Sequence, residues 1–126
     1  MKFLKSVPVI LLALLSFLAV ARAESVKPTL IKVEQGIGGT LAPLHGDYYG
    51  PYHPYAISVR MDTVSPAGLK LTVTINKDGQ TIWAGALGAG ESSPTFTVDG
   101  HPTEVYVTNF NSVTVTYTGT ITLWYM

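Results

Sequence analysis

The sequence has no cysteine among its 126 residues, and charged residues make up 13% of the chain. Small exported domains are commonly held together by disulfides, which this chain cannot form. Its stability must therefore come from an apolar core, from a bound ion or from association with other subunits. A surface with so few charged side chains is tolerable when neighbouring molecules cover much of it.

Clusters of basic residues are also missing. Lys27, Lys32, Arg60, Lys70 and Lys77 are spread singly along the chain. A nucleic-acid surface needs Lys and Arg side chains grouped along the phosphate backbone. We therefore expect no nucleic-acid partner.

The N-terminal segment, residues 1–23, has the layout of a secretory signal peptide. Two lysines precede an apolar run from Val7 to Val20, and Ala21 and Ala23 are the small residues that a signal peptidase reads. A membrane anchor is the alternative, because residues 3–21 are about long enough to span a bilayer. The cleavage site and the polar residues after it favour a signal peptide. We predict cleavage after Ala23, and membrane contact through this segment if it stays uncleaved.

Cleavage changes the charge of the protein. Three basic residues leave with the signal segment, and five basic residues remain against eight acidic ones, a net charge of −3. The mature chain, residues 24–126, is long enough for one domain with one core. We expect it outside the cell or at the cell surface, or in the periplasm if the source is a Gram-negative bacterium.

Alternating apolar and polar residues predict an all-β domain. In residues 113–125, Val115, Tyr117 and Ile121 fall on odd positions and threonines on even ones, as in a strand with one buried face. Gly119 marks a bend or bulge in this strand. Similar runs predict strands near residues 26–34, 56–64, 68–76, 81–87, 94–99 and 103–110. Seven strands in about 100 residues predict a single antiparallel, immunoglobulin-like β-sandwich.

The pair Asp78-Gly79 predicts a hairpin turn, because both residue types accept positive φ. A two-residue loop would place Ile75 opposite Ile82 and turn Trp83 outward, as a candidate contact surface. The alternative is a loop of another length, with Trp83 packed on the second layer of the sandwich. The predicted core contains Leu71, Val73, Ile75, Val115 and Ile121.

Residues 36–55 are the least regular part of the sequence and predict a long loop rich in Gly, Pro and Tyr. The aromatic side chains of this loop and Trp83 are candidate binding residues, because such rings stack on sugars and other ligands. The alternative is that the rings pin the loop to the sandwich. The loop tyrosines are Tyr48, Tyr49, Tyr52 and Tyr55.

His45, Asp47 and His53 lie in the same segment and are residue types that bind Zn or Cu. Their spacing fits no metal signature, so ordinary loop histidines are the alternative, and we assign no metal and no cofactor. Asp78 and Asp99 lack a calcium-loop pattern. Each is followed by glycine, which predicts a turn.

The motifs of covalent catalysis are missing as well. There is no cysteine and no Gly-x-Ser-x-Gly elbow, and eight scattered carboxylates contain some pair by chance. We expect no enzyme activity. One row of threonines is also too little for an ice-binding surface, which needs several parallel rows.

The apolar strand Val26–Glu34 is set apart from the rest by the 36–55 segment, and a Thr-rich strand follows at residues 113–125. In this layout, behind a signal peptide, the chain resembles the small secreted archaeal thread and bundling-pilus subunits. The resemblance implies a structural protein of the cell surface whose first strand, within residues 24–35, adds to the sheet of a neighbour. Its partner would be another copy or another cell-surface protein.

The alternative function is that of a monomeric extracellular module. It would bind a carbohydrate, a metal or a protein through residues 36–55. The two functions differ in whether the first strand pairs with a neighbouring molecule or within its own domain.

Overall fold

The computed structural model describes residues 29–126, and the predicted signal peptide lies outside that range. The described residues form eight strands: β1 (Ile31–Leu41), β2 (Gly46–Tyr52), β3 (Ala56–Ser65), β4 (Leu71–Lys77), β5 (Gln80–Leu87), β6 (Phe96–Thr97), β7 (Thr103–Thr108) and β8 (Val115–Tyr125). The all-β prediction is confirmed. No helix in this part of the chain is long and apolar enough to cross a membrane.

The strands form two antiparallel sheets that pack face to face. The first sheet has the order β1-β8-β3-β6 and the second the order β2-β7-β4-β5. This interleaving is the arrangement of a jelly roll, in which two Greek keys are wound together. The predicted β-sandwich is confirmed, but its strand order departs from the immunoglobulin order that a count of seven strands suggests.

The core lies between the sheets and is filled by alternate residues of the long strands. All the residues predicted for the core, Leu71, Val73, Ile75, Val115 and Ile121, are fully buried. The odd-numbered face of β8 points into this core, whereas its even-numbered face carries the exposed Thr116 and Thr118. The alternation of the sequence therefore gave the buried face correctly.

The predicted loop at residues 36–55 is mostly strand, so that prediction is wrong. β1 continues to Leu41 and β2 begins at Gly46, which leaves a short turn between them. The glycines of β1 allow close packing. A Cβ at Gly38 would lie 2.9 Å from the Tyr117 carbonyl oxygen, and a Cβ at Gly39 would lie 2.6 Å from Asp47 Oδ2. These glycines resemble loop residues in the sequence, but they are needed in the strand because neighbouring atoms leave no room for a Cβ.

The irregularity predicted at Gly119 belongs to the neighbouring strand. β8 is unbroken, and the register shift falls in β3, where Asp62 is the extra residue. Gly119 is required because a Cβ would lie 2.7 Å from the Arg60 carbonyl oxygen. The Asp62 carboxylate accepts hydrogen bonds from Arg60 Nε at 2.6 Å and from Thr120 Oγ1 at 2.7 Å. These bonds fix the bulge on the outer face of the first sheet.

The Asp78-Gly79 hairpin is confirmed, with φ values of 53° and 77°. Its register differs from the predicted one, because Ile82 is an extra residue and Ile75 pairs with Trp83. Trp83 therefore packs against the core, with its ring 6.3 Å from that of Phe96. The outward Trp83 is a wrong prediction. The alternative is right about the packing of Trp83 on the second layer but wrong about the loop, which has two residues because Lys77 pairs with Gln80.

The first strand pairs within its own sheet. Residues 31–35 lie opposite residues 121–125 of β8, so the described part of the predicted donor strand is held in cis. This half of β1 is nevertheless exposed along its whole length, whereas Ile37 and Leu41 in the second half belong to the core. The first half of β1 is therefore attached mainly through its backbone. Residues 24–28 of the predicted donor strand lie outside the described range.

Different connections form the two ends of the sandwich. β1 runs from one end to the other, and β8 runs back. The end that we call the Phe110 end comprises residues 42–45, 66–70, 88–90 and 109–114. The opposite end, which we call the Met126 end, comprises residues 29–30, 53–55, 78–79, 98–102 and 126.

Candidate functional site

A chain of three polar side chains joins the two sheets. The buried Tyr117 hydroxyl donates to Asp47 Oδ2 at 2.7 Å, and the Tyr49 hydroxyl lies 2.6 Å from the Tyr117 oxygen. Because Tyr117 uses its proton on the carboxylate, Tyr49 is the donor of the second bond. β2 of the second sheet is thereby tied to β8 of the first.

Burial raises the pKa of Tyr117 far above its ordinary value, and the hydrogen bonds with Tyr49 and Asp47 act in the same direction. The phenol therefore keeps its proton at neutral pH. A group that neither gains nor loses a proton under these conditions is suited to holding strands together and not to acid–base chemistry.

The predicted metal candidates do not converge. His45 lies in the turn at the Phe110 end, Asp47 points into the sandwich and His53 lies at the Met126 end. Within residues 29–126, no three His, Asp or Glu side chains lie close enough together to hold a metal ion. Asp99 and Gly100 have φ values of 51° and 78°, which makes Asp99 a turn residue as predicted.

The predicted binding tyrosines do not form one platform. Tyr49 and Tyr52 pack against the core, as does Trp83 of β5. Tyr55 lines a cleft of about 290 Å³ at the Met126 end. The structure thus divides these residues between the interior, where rings pin β2 to the sandwich, and one end.

Tyr48 alone of the four points outward on the second sheet, where its ring centroid lies 5.1 Å from that of Tyr106. The Tyr106 hydroxyl donates to Glu104 Oε2 at 2.9 Å. Desolvation and the Glu104 charge raise the pKa of Tyr48, and the hydrogen bond to Glu104 raises the pKa of Tyr106. Both phenols therefore stay neutral at neutral pH.

Large apolar side chains are exposed together at the Phe110 end. The exposed fraction is 76% for Leu44, 66% for Phe110 and 46% for Val113. The Leu44 N–H donates to the Asn109 carbonyl at 2.7 Å, and the Asn109 N–H donates to the His45 carbonyl at 2.9 Å. These bonds hold the turn that carries Leu44 against the loop that carries Phe110.

The buried Asn109 side chain fixes the same loop from inside. Its Nδ2 donates to the carbonyls of Leu41 at 2.9 Å and Val113 at 2.8 Å, and its Oδ1 accepts from the Asn111 N–H at 2.9 Å. The exposed apolar residues thus stand on a hydrogen-bonded support, and clustered apolar groups of this kind mark contact surfaces. This surface was not predicted from the sequence, because Asn109 and Phe110 separate two strands and carry no periodic signal.

The Met126 end carries a second and different apolar surface. Leu30 is 42% exposed, Ile31 is 61% exposed and Met126 is 66% exposed. Ile31 lies opposite Tyr125 in the first sheet. Tyr125 in turn lines the cleft of about 290 Å³, together with His53, Tyr55, Asp99, Gly100 and Met126. A second cleft of about 290 Å³, with Leu69, Lys70 and Glu91 in its lining, lies at the Phe110 end. The two ends therefore differ in the apolar side chains that they expose, and each has a cleft.

Comparisons with known proteins identify no family. No family model matches the chain, and no curated protein matches it. A solved structure of Bacillus endospore appendages, described as disulfide-linked pili, is 16% identical, with 80% of this chain and 93% of that chain covered and a TM-score of 0.47. The archaeal resemblance drawn from the layout stays a prediction.

Two further solved structures are similar at the same level. The prophage-derived protein YomS is 11% identical, with 77% of this chain and 97% of that chain covered and a TM-score of 0.46. A cupin domain of a transcriptional regulator from Enterobacter cloacae is 16% identical, with 75% and 96% covered and a TM-score of 0.41. Similarity at these levels carries no argument about function.

The raised pKa of Tyr117 predicts a specific loss of stability in alkali. An unfolded tyrosine releases its proton near about pH 10, whereas the folded Tyr117 keeps it. The stability is therefore complete below about pH 10 and falls above it, by up to about 1.4 kcal/mol per pH unit for this residue. We expect Tyr117→Phe to lose about 1 to 3 kcal/mol at neutral pH, because the Asp47 carboxylate loses its donor. Its stability should then fall less steeply in alkali, as measured by urea unfolding.

Tyr55→Phe is the matched control for this prediction, because Tyr55 lies at the Met126 end outside the hydrogen-bonded chain. It should follow the parent protein at every pH. Identical alkaline slopes for Tyr117→Phe and the parent would contradict the assignment.

Proposed function

We propose that this chain is an exported structural subunit that assembles head to tail with other copies of itself. The observation that carries the proposal is the pair of unlike apolar surfaces at opposite ends of one sandwich, around Phe110 and around Ile31 and Met126. When two molecules join through two different surfaces, each of them keeps one surface free for a further molecule. The contact therefore repeats, and it forms an open filament unless the rotation closes a ring.

Composition supports the same proposal. The chain has no cysteine and 13% charged residues, so covering its ends by neighbours would add stability that no disulfide supplies. Neither cluster of exposed apolar side chains contains a charged residue. Their contact would bury apolar area, with Asp99 at the edge of the Met126 end as the nearby charge that needs water or a partner.

We further propose that residues 24–30 add as a strand to the neighbouring subunit. β1 begins at Ile31 at the Met126 end, which is the end that faces the next subunit in the proposed assembly. An extended segment of seven residues spans roughly 23 Å, and strand addition supplies main-chain hydrogen bonds to an open sheet edge. The donated part of the predicted strand is thereby shortened, because residues 31–35 already pair with β8.

The monomeric binding module is the second candidate, and the outward patch of Tyr48, Tyr106 and Glu104 is the observation that favours it. An aromatic pair beside a carboxylate suits a sugar or an ammonium group. The patch is small, however, and the 36–55 loop on which this function rested is replaced by β1, a turn and β2.

Head-to-tail contact predicts that a charge at either end stops assembly. It also predicts that two variants blocked at opposite ends still form one contact with each other when they are mixed. Phe110→Asp should inactivate one end and Ile31→Asp the other, because each places a charge in an apolar contact. Each variant of the chain starting at Glu24 should fail to elongate, as measured by multi-angle light scattering. At low protein concentration, an equimolar mixture should form heterodimers and no longer rows, because one intact pair of ends remains.

Thr118→Asp is the matched control for charge, since Thr118 is exposed in the middle of the first sheet and away from both ends. It should assemble like the parent chain. A mixture of the two end variants that stays monomeric would contradict the unlike-ends contact, as would unimpaired growth of Phe110→Asp.

Strand addition predicts that removal of residues 24–30 spares the fold and impairs assembly. The truncated chain keeps all of β1 and should unfold at nearly the same urea concentration as the Phe110→Asp chain, which also lacks end-to-end contacts. A synthetic peptide of residues 24–30 should bind the truncated chain and raise its melting temperature. At a peptide concentration a hundredfold above the dissociation constant, the free energy of unfolding should rise by about 2.7 kcal/mol. A peptide with the same residues in scrambled order is the control. Unchanged melting with both peptides, or undiminished assembly of the truncated chain, would contradict strand addition.

A further inference from the structure

The edges of the two sheets differ in how they are protected against pairing. Within residues 29–126, the outer edges of β1, β2, β5 and the two-residue β6 have no paired strand. The outer edge of β3 is covered by β6 and by the segment before it, where Met61 N–H donates to the Glu91 carbonyl and Ser93 N–H to the Val59 carbonyl. Unpaired edges are sites of association unless the sequence guards them.

Three of the open edges are longer than two residues, and two of these three carry such guards. β1 has a charged pair, Lys32 and Glu34, on its exposed first half. β2 contains Pro51 and the inward-pointing Asp47. Charged side chains, prolines and inward-pointing charges are the features by which natural sheets prevent edge-to-edge pairing.

β5 lacks these guards. The strand Gln80–Leu87 contains no charged residue and no proline. Its bulge at Ile82 lies near the hairpin turn and leaves residues 83–87 in regular register with β4. A regular, uncharged edge of five residues is therefore open to a second strand.

We propose that β5 pairs antiparallel with β5 of a second copy, about a two-fold axis at Gly85. In this register Trp83 lies opposite Leu87 of the second copy, and Ala84 lies opposite its Ala86. The β4 partners of Trp83, Gly85 and Leu87 are buried core residues, so these three lie on the inner face. The pairing thus continues the apolar core across the contact with apolar cross-strand pairs.

Trp83 is the anchor of this contact. Its indole lies over Gly85, where an added Cβ would be 2.6 Å from Cζ2, and it packs on Phe96 at the border of the core. A strand laid along β5 would cover the part of the ring that is still exposed, and a tryptophan covered in this way commonly dominates an interface. On the outer face, Ala84 and Ala86 place neither charge nor bulk at the two-fold axis.

The contact joins subunits sideways and so goes beyond head-to-tail assembly. A five-residue edge buries less than the roughly 800 Å² per partner of a standard stable interface. Pairing between two isolated subunits is therefore weak. Between two filaments the same contact repeats at every subunit, and its effect multiplies through effective concentration.

The test uses the chain starting at Glu24 with Phe110→Asp, so that elongation does not mask pairing. Sedimentation velocity should show this protein dimerising as its concentration rises. Adding Ala84→Lys should raise the dissociation constant of the dimer at least about tenfold, which is 1.4 kcal/mol, because a lysine guards the edge. Ala86→Lys is the second edge variant, and circular dichroism confirms the fold of each.

Thr74→Lys is the matched control, because Thr74 is the β4 partner of Ala84 on the same outer face, and its strand is already paired on both sides. It should dimerise like the parent. Equal dimerisation of all variants, or a Phe110→Asp protein that stays monomeric at every concentration, would overturn the proposal. Loss of dimerisation in Thr74→Lys as well would place the contact on the face and also overturn it. A failure of the head-to-tail proposal has a different signature, because the Phe110→Asp chain would then still elongate into rows.

Discussion

The apolar contact between the two sheets is the interaction on which the rest of this structure depends. With no cysteine in the chain, nothing covalent joins the sheets. β8 is central to the contact, because it pairs with β1 on one side and β3 on the other, and its buried face meets the second sheet. The chain of Tyr49, Tyr117 and Asp47 adds a polar connection at the same level. Within this contact, every buried polar side-chain atom of the described residues has a hydrogen-bond partner.

A two-layer sandwich covers its inner faces but leaves its ends and edges to the connecting segments. In this chain the Phe110 end carries apolar side chains on a loop that the buried Asn109 holds in place. The Met126 end carries others beside a cleft. Both surfaces reflect the low fraction of charged residues in the chain. They suit a subunit whose ends are covered by neighbouring subunits.

Alternation made the fold class predictable. The Thr-rich β8 and the core face of β4 were recognised because every second residue is apolar, and the hairpin at Asp78 because Asp-Gly fits its turn. β2 was missed because Gly46, Gly50 and Pro51 interrupt the pattern and its tyrosines point to both faces. The register of β5 was missed because a bulge depends on packing that local sequence does not encode.

The candidate surfaces were less predictable than the fold. The histidines and tyrosines were grouped because they are close along the chain. However, β2 separates them, because its seven residues run from one end of the sandwich to the other. The sequence could not group Leu44 with Phe110, because they are brought together by backbone hydrogen bonds between two distant loops. Contacts of this kind follow from topology, which a single sequence specifies only through the whole fold.

The most direct measurement of the central claim is electron microscopy of the purified chain starting at Glu24. A strand of eleven residues is roughly 36 Å long, so stacking end on end with its connecting loops predicts filaments with an axial repeat of about 40 Å. Within each row, all subunits should point in the same direction. Single particles, closed dimers, or rows in which neighbouring subunits point in opposite directions would contradict a subunit that joins its Phe110 end to the Met126 end of the next.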